Sequence, residues 1–416
     1  MKKGMYFIQE GNVIPLNLFY KFEDAFERED YYLAKNLFKS SFTGIIVKGN
    51  EILISFPKHF LKFKSIDGLY FDHPLRKYYT QLLLKVIIKS ATKKSDRSIG
   101  IAKDAFSSFP FKSFYEIYQY YKNFGLYKET INKLKYGYTG KINWKKTIEK
   151  SPTVLNKKSV IYLPMVIQEE AEKDVFITKC MAYAIDTTAE LLKDIIKFKK
   201  TELDTSDVNF SNNDLILKKL HFYSREVFKD HEKRLLKNLI TFFNNIDGGN
   251  GQIFIKVNTF SLIWQEMIES YLNNYFVVID AKEQSLMFSK KKLRFPTGFK
   301  SKTFIPDASF EDVYSLELDH YLNTKDSVYI FDSKYYNKIY SLDYKQVSYY
   351  YLTKNLEEHK KKHIYNALIS PKDLEETDPS NYKIHFKLKK EYGDDTFLIT
   401  EQYLKMIEVM ERYIGR

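Results

Sequence analysis

Apolar and polar positions along this chain alternate with two periods, and the switches between the periods mark its elements. Near the amino terminus, "NLFYKFEDAFEREDYYLAKNLF" carries apolar residues at helical spacing. "GIIVK" and "EILISF" follow as strand-like runs joined at Gly49-Asn50, which is hairpin turn chemistry. Helical spacing returns in "HPLRKYYTQLLLKVIIKSATKK" and in "KSFYEIYQYYKNFGLYKETINKL". A basic, glycine-containing stretch comes next, and then "KDVFITKCMAYAIDTTAELLKDIIKFKK" reads as a strand entering an amphipathic helix. "LILKKLHFYSREVFKDHEKRLLKNLITFFNN" predicts one long helix, stopped by "DGGNG".

That double-glycine break predicts the main boundary, with an amino-terminal region 1–247, roomy enough for two subdomains, and a domain 248–416. Beyond the break the pattern gives a helix over "TFSLIWQEMIESYLNNYF" and strands near "FVVID", "TFIPDASF" and "SVYIFDSKYY". A helix over "LDYKQVSYYYLTKN", strands "IYNALISP" and "YKIHFKLKK", and a closing amphipathic helix "TEQYLKMIEVMERYI" complete it. This order describes an α/β (mixed α+β) core with a mixed central sheet, preceded by a mixed α/β amino-terminal region.

Charge narrows the choice of partner. The net charge of +13 and pI near 9.2 suit a polyanion, with nucleic acid ahead of an acidic membrane surface. No apolar run reaches membrane-spanning length, and "MKKGMYFIQEGN" lacks the apolar core of a signal peptide. The only cysteine, Cys180, sits in an apolar run with no adjacent histidine, so a buried structural thiol in a reducing cytoplasm is expected. The 34 tyrosines and 33 phenylalanines are spread along the whole chain, which favours aromatic cores over a base-stacking tract. No Gly-x-x-x-x-Gly-Lys-Ser/Thr occurs, so a nucleotide-driven motor would have to reside in a partner.

Cleaving a phosphodiester calls for a hard cation, an activated water and something to offset developing negative charge. Magnesium takes oxygen ligands, typically a carboxylate or two with waters and substrate phosphate. Asp307 in "FIPDASF" and Asp332 in "FDSK" offer two carboxylates at the ends of apolar strands, and the Ser333 carbonyl offers a third oxygen. Asp332 and Lys334, at i and i+2, share one strand face, so Lys334 is placed to orient or deprotonate water. In the helix that follows, Ser341 is a candidate N-cap with Asp343 in the first turn, and Gln346 shares a face with Asp343 and Tyr350. Alone, Asp-x-Lys is more often a surface ion pair and Pro-Asp a turn. The order of both acids followed by the Gln helix is what favours a metal-dependent nuclease site.

"FIPDASF … YIFDSKYY … DYKQVSYYYL" resembles the PD-(D/E)xK nuclease signature in the form used by the LlaJI family of restriction endonucleases, itself similar to McrC-type nuclease subunits. The family pattern of Pro-Asp, Asp-Ala-Lys-Tyr-Tyr and Asp-Ile-x-Lys-Gln-x-x-Tyr is met with departures at Ser333 and Tyr344 and with Asp343 one residue nearer to Lys345-Gln346 than the pattern has it. "YLAKNLFKSSFTGIIVKGNEILISFPKHF" and "GKINWKKTI" resemble two further family blocks, so the likeness spans most of the chain. It implies a carboxy-terminal PD-(D/E)xK core with catalytic Asp307, Asp332, Lys334 and Gln346, Mg²⁺ held by Asp307, Asp332 and the Ser333 carbonyl, and cleavage of foreign DNA. It also implies, for some members, an McrB-like AAA+ GTPase subunit, and a restriction system with a cognate methyltransferase. Where the fold's first helix usually carries a metal-binding Glu, "LIWQEMIESYL" has Gln265; Glu266, ahead of Glu269, is the candidate substitute.

Two basic runs with interleaved aromatics are candidate DNA-backbone contacts: Lys290, Lys291, Lys292 and Arg294, and Lys141, Lys145 and Lys146. Plain solvated surface is an equal reading of both, and Trp144 in the second run reads as core. His359 and His363, four apart, have lysines between them and no acid, which favours a solvated loop over a metal pair. The sequence therefore predicts a Mg²⁺-dependent restriction endonuclease subunit acting on double-stranded DNA. Its alternatives are a non-catalytic DNA-binding or regulatory subunit of a restriction complex, and a structure-selective repair nuclease.

Overall fold

The computed structural model describes residues 4–49, 51–60, 75–92, 110–156, 159–193, 198–246, 252–280, 284–305, 315–359, 361–373, 381–389 and 396–415. The chain divides into two units, one of residues 1–109 with 248–416 and one of residues 110–247. Helices and sheets make up both, the sheets mixed in the first unit and antiparallel in the second, in keeping with the α/β class.

The amino-terminal part of the first unit opens with β1 (Gly4–Gln9) and a short α1 (Leu16–Phe22). The predicted helix over "NLFYKFEDAFEREDYYLAKNLF" stops there. The chain turns into a hairpin of β2 (Tyr31–Ala34) and β3 (Leu37–Ser40) instead. Lys35 and Asn36 form its two-residue turn with φ of 52° and 61°, a left-handed conformation that asparagine tolerates well. Phe19, Phe26, Tyr31 and Phe38 stack across the corner, so aromatic packing overrides the helical spacing. The expected Gly49 hairpin joins β4 (Thr43–Lys48) to β5 (Glu51–Phe56), and α2 (Arg76–Thr92) follows.

In the second unit, α3 (Phe111–Phe124) ends at Gly125, whose φ of 77° suits a helix terminus. "ETINKL", expected as helix, lies in β6 (Glu129–Gly137). β7 (Lys141–Ile142), α4 (Trp144–Lys150), the hairpin of β8 (Thr153–Asn156) and β9 (Ser159–Tyr162), and β10 (Met165–Lys173) follow; β10 lies between β6 and β7. Then α5 (Phe176–Leu191) buries Cys180, and burial pushes its thiol up, the state of an unreactive structural cysteine. The long helix expected after it is two helices, α6 (Asn213–Tyr223) and α7 (Asp230–Ile246).

Returning to the first unit, β11 (Gln252–Val257) pairs with β4 and completes a sheet of order β1-β5-β4-β11. This corrects the expected division into 1–247 and 248–416: the first 109 residues need a strand from beyond the double glycine to finish their sheet. Lys256 on β11 is fully enclosed and pairs with the buried Asp30 and with Glu27, stitching the two stretches together.

The rest of the unit comprises α8 (Phe260–Tyr275), β12 (Phe276–Ile279), β13 (Leu286–Phe288), β14 (Lys300–Phe304), β15 (Leu316–Asn323) and β16 (Ser327–Ser333). After these come α9 (Tyr344–Lys354), β17 (His363–Lys372), β18 (Tyr382–Lys389), β19 (Thr396–Lys405) and α10 (Met406–Ile414). "TEQYLK", expected to begin the closing helix, belongs to β19. The central sheet has order β14-β15-β16-β17-β19-β18, with β14 to β16 antiparallel and β16, β17 and β19 parallel. β15 was not anticipated from the sequence. α9 makes the crossover between the parallel strands β16 and β17. None of the described helices is long and apolar enough to cross a membrane.

Burial holds the Asp30 carboxyl above its usual range despite Lys256, so the pair stabilises little as a whole but is costly to break. Lys256→Met should destabilise the protein by about 3–5 kcal/mol, and adding Asp30→Asn should recover most of that loss, read by urea denaturation. A single-variant loss under about 1 kcal/mol would contradict the pairing.

Candidate active site

β16 is "SVYIFDS", an apolar strand buried between its neighbours that ends on acid and base. Asp332 is 4% exposed at its carboxy-terminal end. The antiparallel register with β15 runs up to His320 against Phe331, and Asp319 is the next residue along β15 as Asp332 is along β16. An Asp319 carboxylate oxygen accepts the Ser333 backbone N–H at 3.0 Å. Neighbouring carboxylates repel, and the arrangement is relieved by positive charge.

Part of that charge is Lys334. Its ammonium lies 2.5 Å from Asp332 Oδ2 and 2.6 Å from Asp343 Oδ2, with its own backbone N–H donated to the Ile369 carbonyl. Burial alone would lower its pKa, but the two carboxylates outweigh burial and hold it above the ordinary lysine value. Asp343 is the N-cap of α9, a role the sequence reading gave to Ser341; its Oδ1 accepts the Gln346 backbone N–H at 3.0 Å. Burial pushes the Asp343 carboxyl up, and Lys334 and the Gln346 backbone N–H bring it below the usual range. The pair is thus ionised across neutral pH.

The other expected site residues fall in varied places. Asp307 lies outside the described residues. Gln346 is fully buried; its Nε2 donates to the Ile330 carbonyl at 3.1 Å and to Asn366 Oδ1, which anchors α9 on β16 and β17. Glu266 is buried among helices α2, α8 and α10, where its two oxygens accept from Ser90 Oγ and from Tyr413 OH. Those bonds engage Glu266 within the helical layer. Among the described residues no group of three or more His, Cys, Asp or Glu is spaced to hold a metal. The acids brought together at the strand ends are Asp319 and Asp332.

Two residues near Asp332 escaped the sequence reading. Asp319 was hidden because β15 was, although "LELDHYLN" alternates apolar and polar positions in the pattern of a strand. Lys345 stands exposed on α9 with its ammonium 5.4 Å from the Tyr349 ring centre. Burial opposes its charge, while Tyr349, Asp332 and Asp319 raise its pKa.

Lys290, Lys291, Lys292 and Arg294 are exposed in the segment after β13, in the unit that carries Asp332. Lys141, Lys145 and Lys146 belong to the other unit, where Lys146 pairs with Glu149 at 2.8 Å. Trp144 beside them is 58% exposed rather than core, because it opens α4 at the surface. His359 is buried against Tyr321, Asn323 and Thr353, while His363 is exposed at the start of β17.

The sequence profile of the LlaJI restriction endonuclease family matches residues 42–387. The site belongs to a nuclease-class protein, and the chain is a member of the LlaJI restriction endonuclease family. Comparison with curated proteins finds no match. Among solved structures, a chain of the tetradecameric assembly of Thermococcus gammatolerans McrB AAA+ hexamers with bound McrC is similar over 99% of this chain and 98% of that one, at 11% identity and a TM-score of 0.42. A chain of the Thermococcus gammatolerans McrBC complex is similar over 62% of this chain and 84% of that one, at 9% identity and a TM-score of 0.27.

The ion pair sets a pH dependence. Asp343, depressed in the folded state, contributes stability above its unfolded value near ~3.9 and loses it as pH falls through the lower folded value. Lys334, raised, contributes below ~10.4 and loses it only as pH rises through the higher folded value. Lys334→Met should therefore cost about 1.5–3 kcal/mol, constant between about pH 5 and 9 and shrinking below about pH 4, in urea denaturation at stepped pH. A cost that titrates between about pH 6 and 8 would contradict it.

Proposed function

We propose that this chain is the nuclease subunit of a restriction system and hydrolyses phosphodiester bonds in double-stranded foreign DNA with Mg²⁺. The observation that carries the reading is the Asp319 carboxylate on the Ser333 N–H, next to Asp332 at the end of β16, with Lys334 held beside Asp332. The donor set fits a hard cation: two carboxylates whose mutual repulsion a cation relieves, with the Ser333 carbonyl next to Asp332 as a further oxygen. Asp319, Asp332 and Ser333 would hold the metal, and Asp307 stays a candidate for the same role. When bound, magnesium supplies the charge that polarises the scissile phosphate and acidifies a water.

The chain's own residues do the rest. Lys334 remains protonated, so its part is to orient the attacking water and offset developing negative charge rather than to take a proton. Asp343 fixes where that ammonium points. Gln346 holds α9 against the sheet, and through the helix it places Lys345 toward the carboxylates as a second cation for a phosphate oxygen. The exposed Lys290, Lys291, Lys292 and Arg294 supply backbone contacts to DNA in this reading, with Lys141, Lys145 and Lys146 as a separate set. Any nucleotide-driven step falls to an McrB-like AAA+ GTPase subunit, because the sequence has no P-loop, and the host's own DNA would be protected by a cognate methyltransferase.

A second reading, a non-catalytic DNA-binding subunit, draws on Glu266, whose oxygens are occupied by Ser90 and Tyr413. One assay separates the two. Plasmid cleavage is measured with Mg²⁺, with and without GTP and an McrB-like partner. Asp332→Ala should lose at least about 10²-fold in cleavage while DNA affinity is kept. Unchanged cleavage in that variant would remove the site assignment. DNA affinity should fall steeply with salt, because phosphate contacts dominate it, and salt-independent binding would remove the polyanion reading.

A further inference from the structure

The register of β18 on β19 slips once. Lys383 pairs with Glu401 and Ile384 with Thr400, and pairing resumes at Phe386 with Ile399, leaving His385 as the extra residue of a bulge. A bulge re-aims the side chain it carries, and bulges concentrate beside active sites. Here His385 reaches two partners. Its Nδ1 is 2.7 Å from Glu401 Oε1, and the backbone N–H of Asp343 donates to its Nε2 at 3.2 Å. Because Nε2 accepts, the ring proton sits on Nδ1 and is donated to Glu401. Glu401 is 1% exposed; its other oxygen takes the Lys383 ammonium at 2.9 Å and the Tyr403 hydroxyl.

The far end of this chain of bonds is the nuclease cation. His385 holds the backbone of Asp343, Asp343 Oδ1 accepts Gln346 N–H, and Asp343 Oδ2 holds the Lys334 ammonium at 2.6 Å. Resting on the nuclease reading above, we propose that His385 and Glu401 are positioning residues for hydrolysis. They fix the N-cap residue of α9 from the far edge of the sheet, and through it they fix the direction of the Lys334 ammonium. His385 touches none of Asp319, Asp332 or Lys334 in the described contacts, so it acts through Asp343 and not on the substrate. The requirement is an acceptor at the position of Nε2, facing the Asp343 N–H, backed by a group that prevents ring rotation.

The test uses the full chain with Mg²⁺ and its partner, and compares His385→Leu, His385→Gln and His385→Asn by kcat, KM for DNA and melting temperature. His385→Leu should lower kcat by about 10²-fold with KM within about twofold and the folded state retained. His385→Gln, whose Oε1 still meets the Asp343 N–H, should recover most of kcat, whereas the shorter His385→Asn should not. Wild-type kcat in His385→Leu, a Gln variant as impaired as the Leu variant, or a change confined to KM would overturn the proposal. A second readout is the rate of reductive methylation at Lys334, followed by peptide mass spectrometry, which needs no cleavage. Lys334 should be protected in the wild type and in His385→Gln, and should react faster in His385→Asn. Equal rates in all three would also overturn it. If wild type and Asp332→Ala cleave alike, the nuclease reading fails, while the labelling rates still decide the relay.

Discussion

An ammonium held between two carboxylates from different elements is the contact around which this site is organised. Lys334 joins Asp332, at the end of a buried strand, to Asp343, at the start of the helix that crosses to the next strand. Each partner is partly withdrawn from water, so leaving any one of them unpaired carries a desolvation cost with nothing to offset it. The triad therefore fixes the angle at which α9 leaves the sheet and presents Asp332 toward Asp319. It also keeps Lys334 charged. A helix N-cap that doubles as an ion-pair partner makes backbone geometry and site electrostatics a single constraint.

The amino-terminal part of the same unit reinforces that constraint from behind. Tyr335, the residue after Lys334, is buried; its hydroxyl donates to Glu10 at 2.7 Å and accepts the Lys58 backbone N–H at 2.8 Å. Thr43 donates to the same Glu10 oxygen. His59 meets the Tyr336 carbonyl at 3.0 Å and lies 3.3 Å from Asp373. The chain leaving β16 is thus pinned to the sheet of β1, β5, β4 and β11. Buried polar contacts therefore tie the segment after Lys334 to the residues that follow β1 and β5.

Much of this was legible in the sequence where one period dominated. The Gly49 hairpin, α8, β16 and the Asp332 and Lys334 pair on one face all follow from spacing and turn residues. The misreadings share a cause. "FEREDYYLAKNLF" and "SREVFKDHEK" carry helical spacing, but aromatic packing in the first and a break after Tyr223 in the second decide otherwise. Asp319 went unnoticed because "SLELDHYLN" follows a Pro-Asp that matched the family pattern, so the nearer acid was passed over. Its signal was the alternation of Leu316, Leu318, His320 and Leu322, with three turn residues between that strand and β16. His385 and Glu401 had no local signal at all, because a bulge and two long-range pairings bring them to Asp343. The match to the LlaJI restriction endonuclease family fixes the class of protein and leaves the roles of individual acids to experiment.

The central claim is that Asp319 and Asp332 form one metal-binding pair. Calorimetric titration of the full chain with Mn²⁺, as a probe of the Mg²⁺ site, tests it most directly. The account predicts that Asp319→Asn and Asp332→Asn each weaken binding by at least about tenfold, because each removes one of two carboxylates from a site of few protein ligands. Wild-type affinity in the Asp319→Asn protein, with the loss seen only in Asp332→Asn, would contradict it.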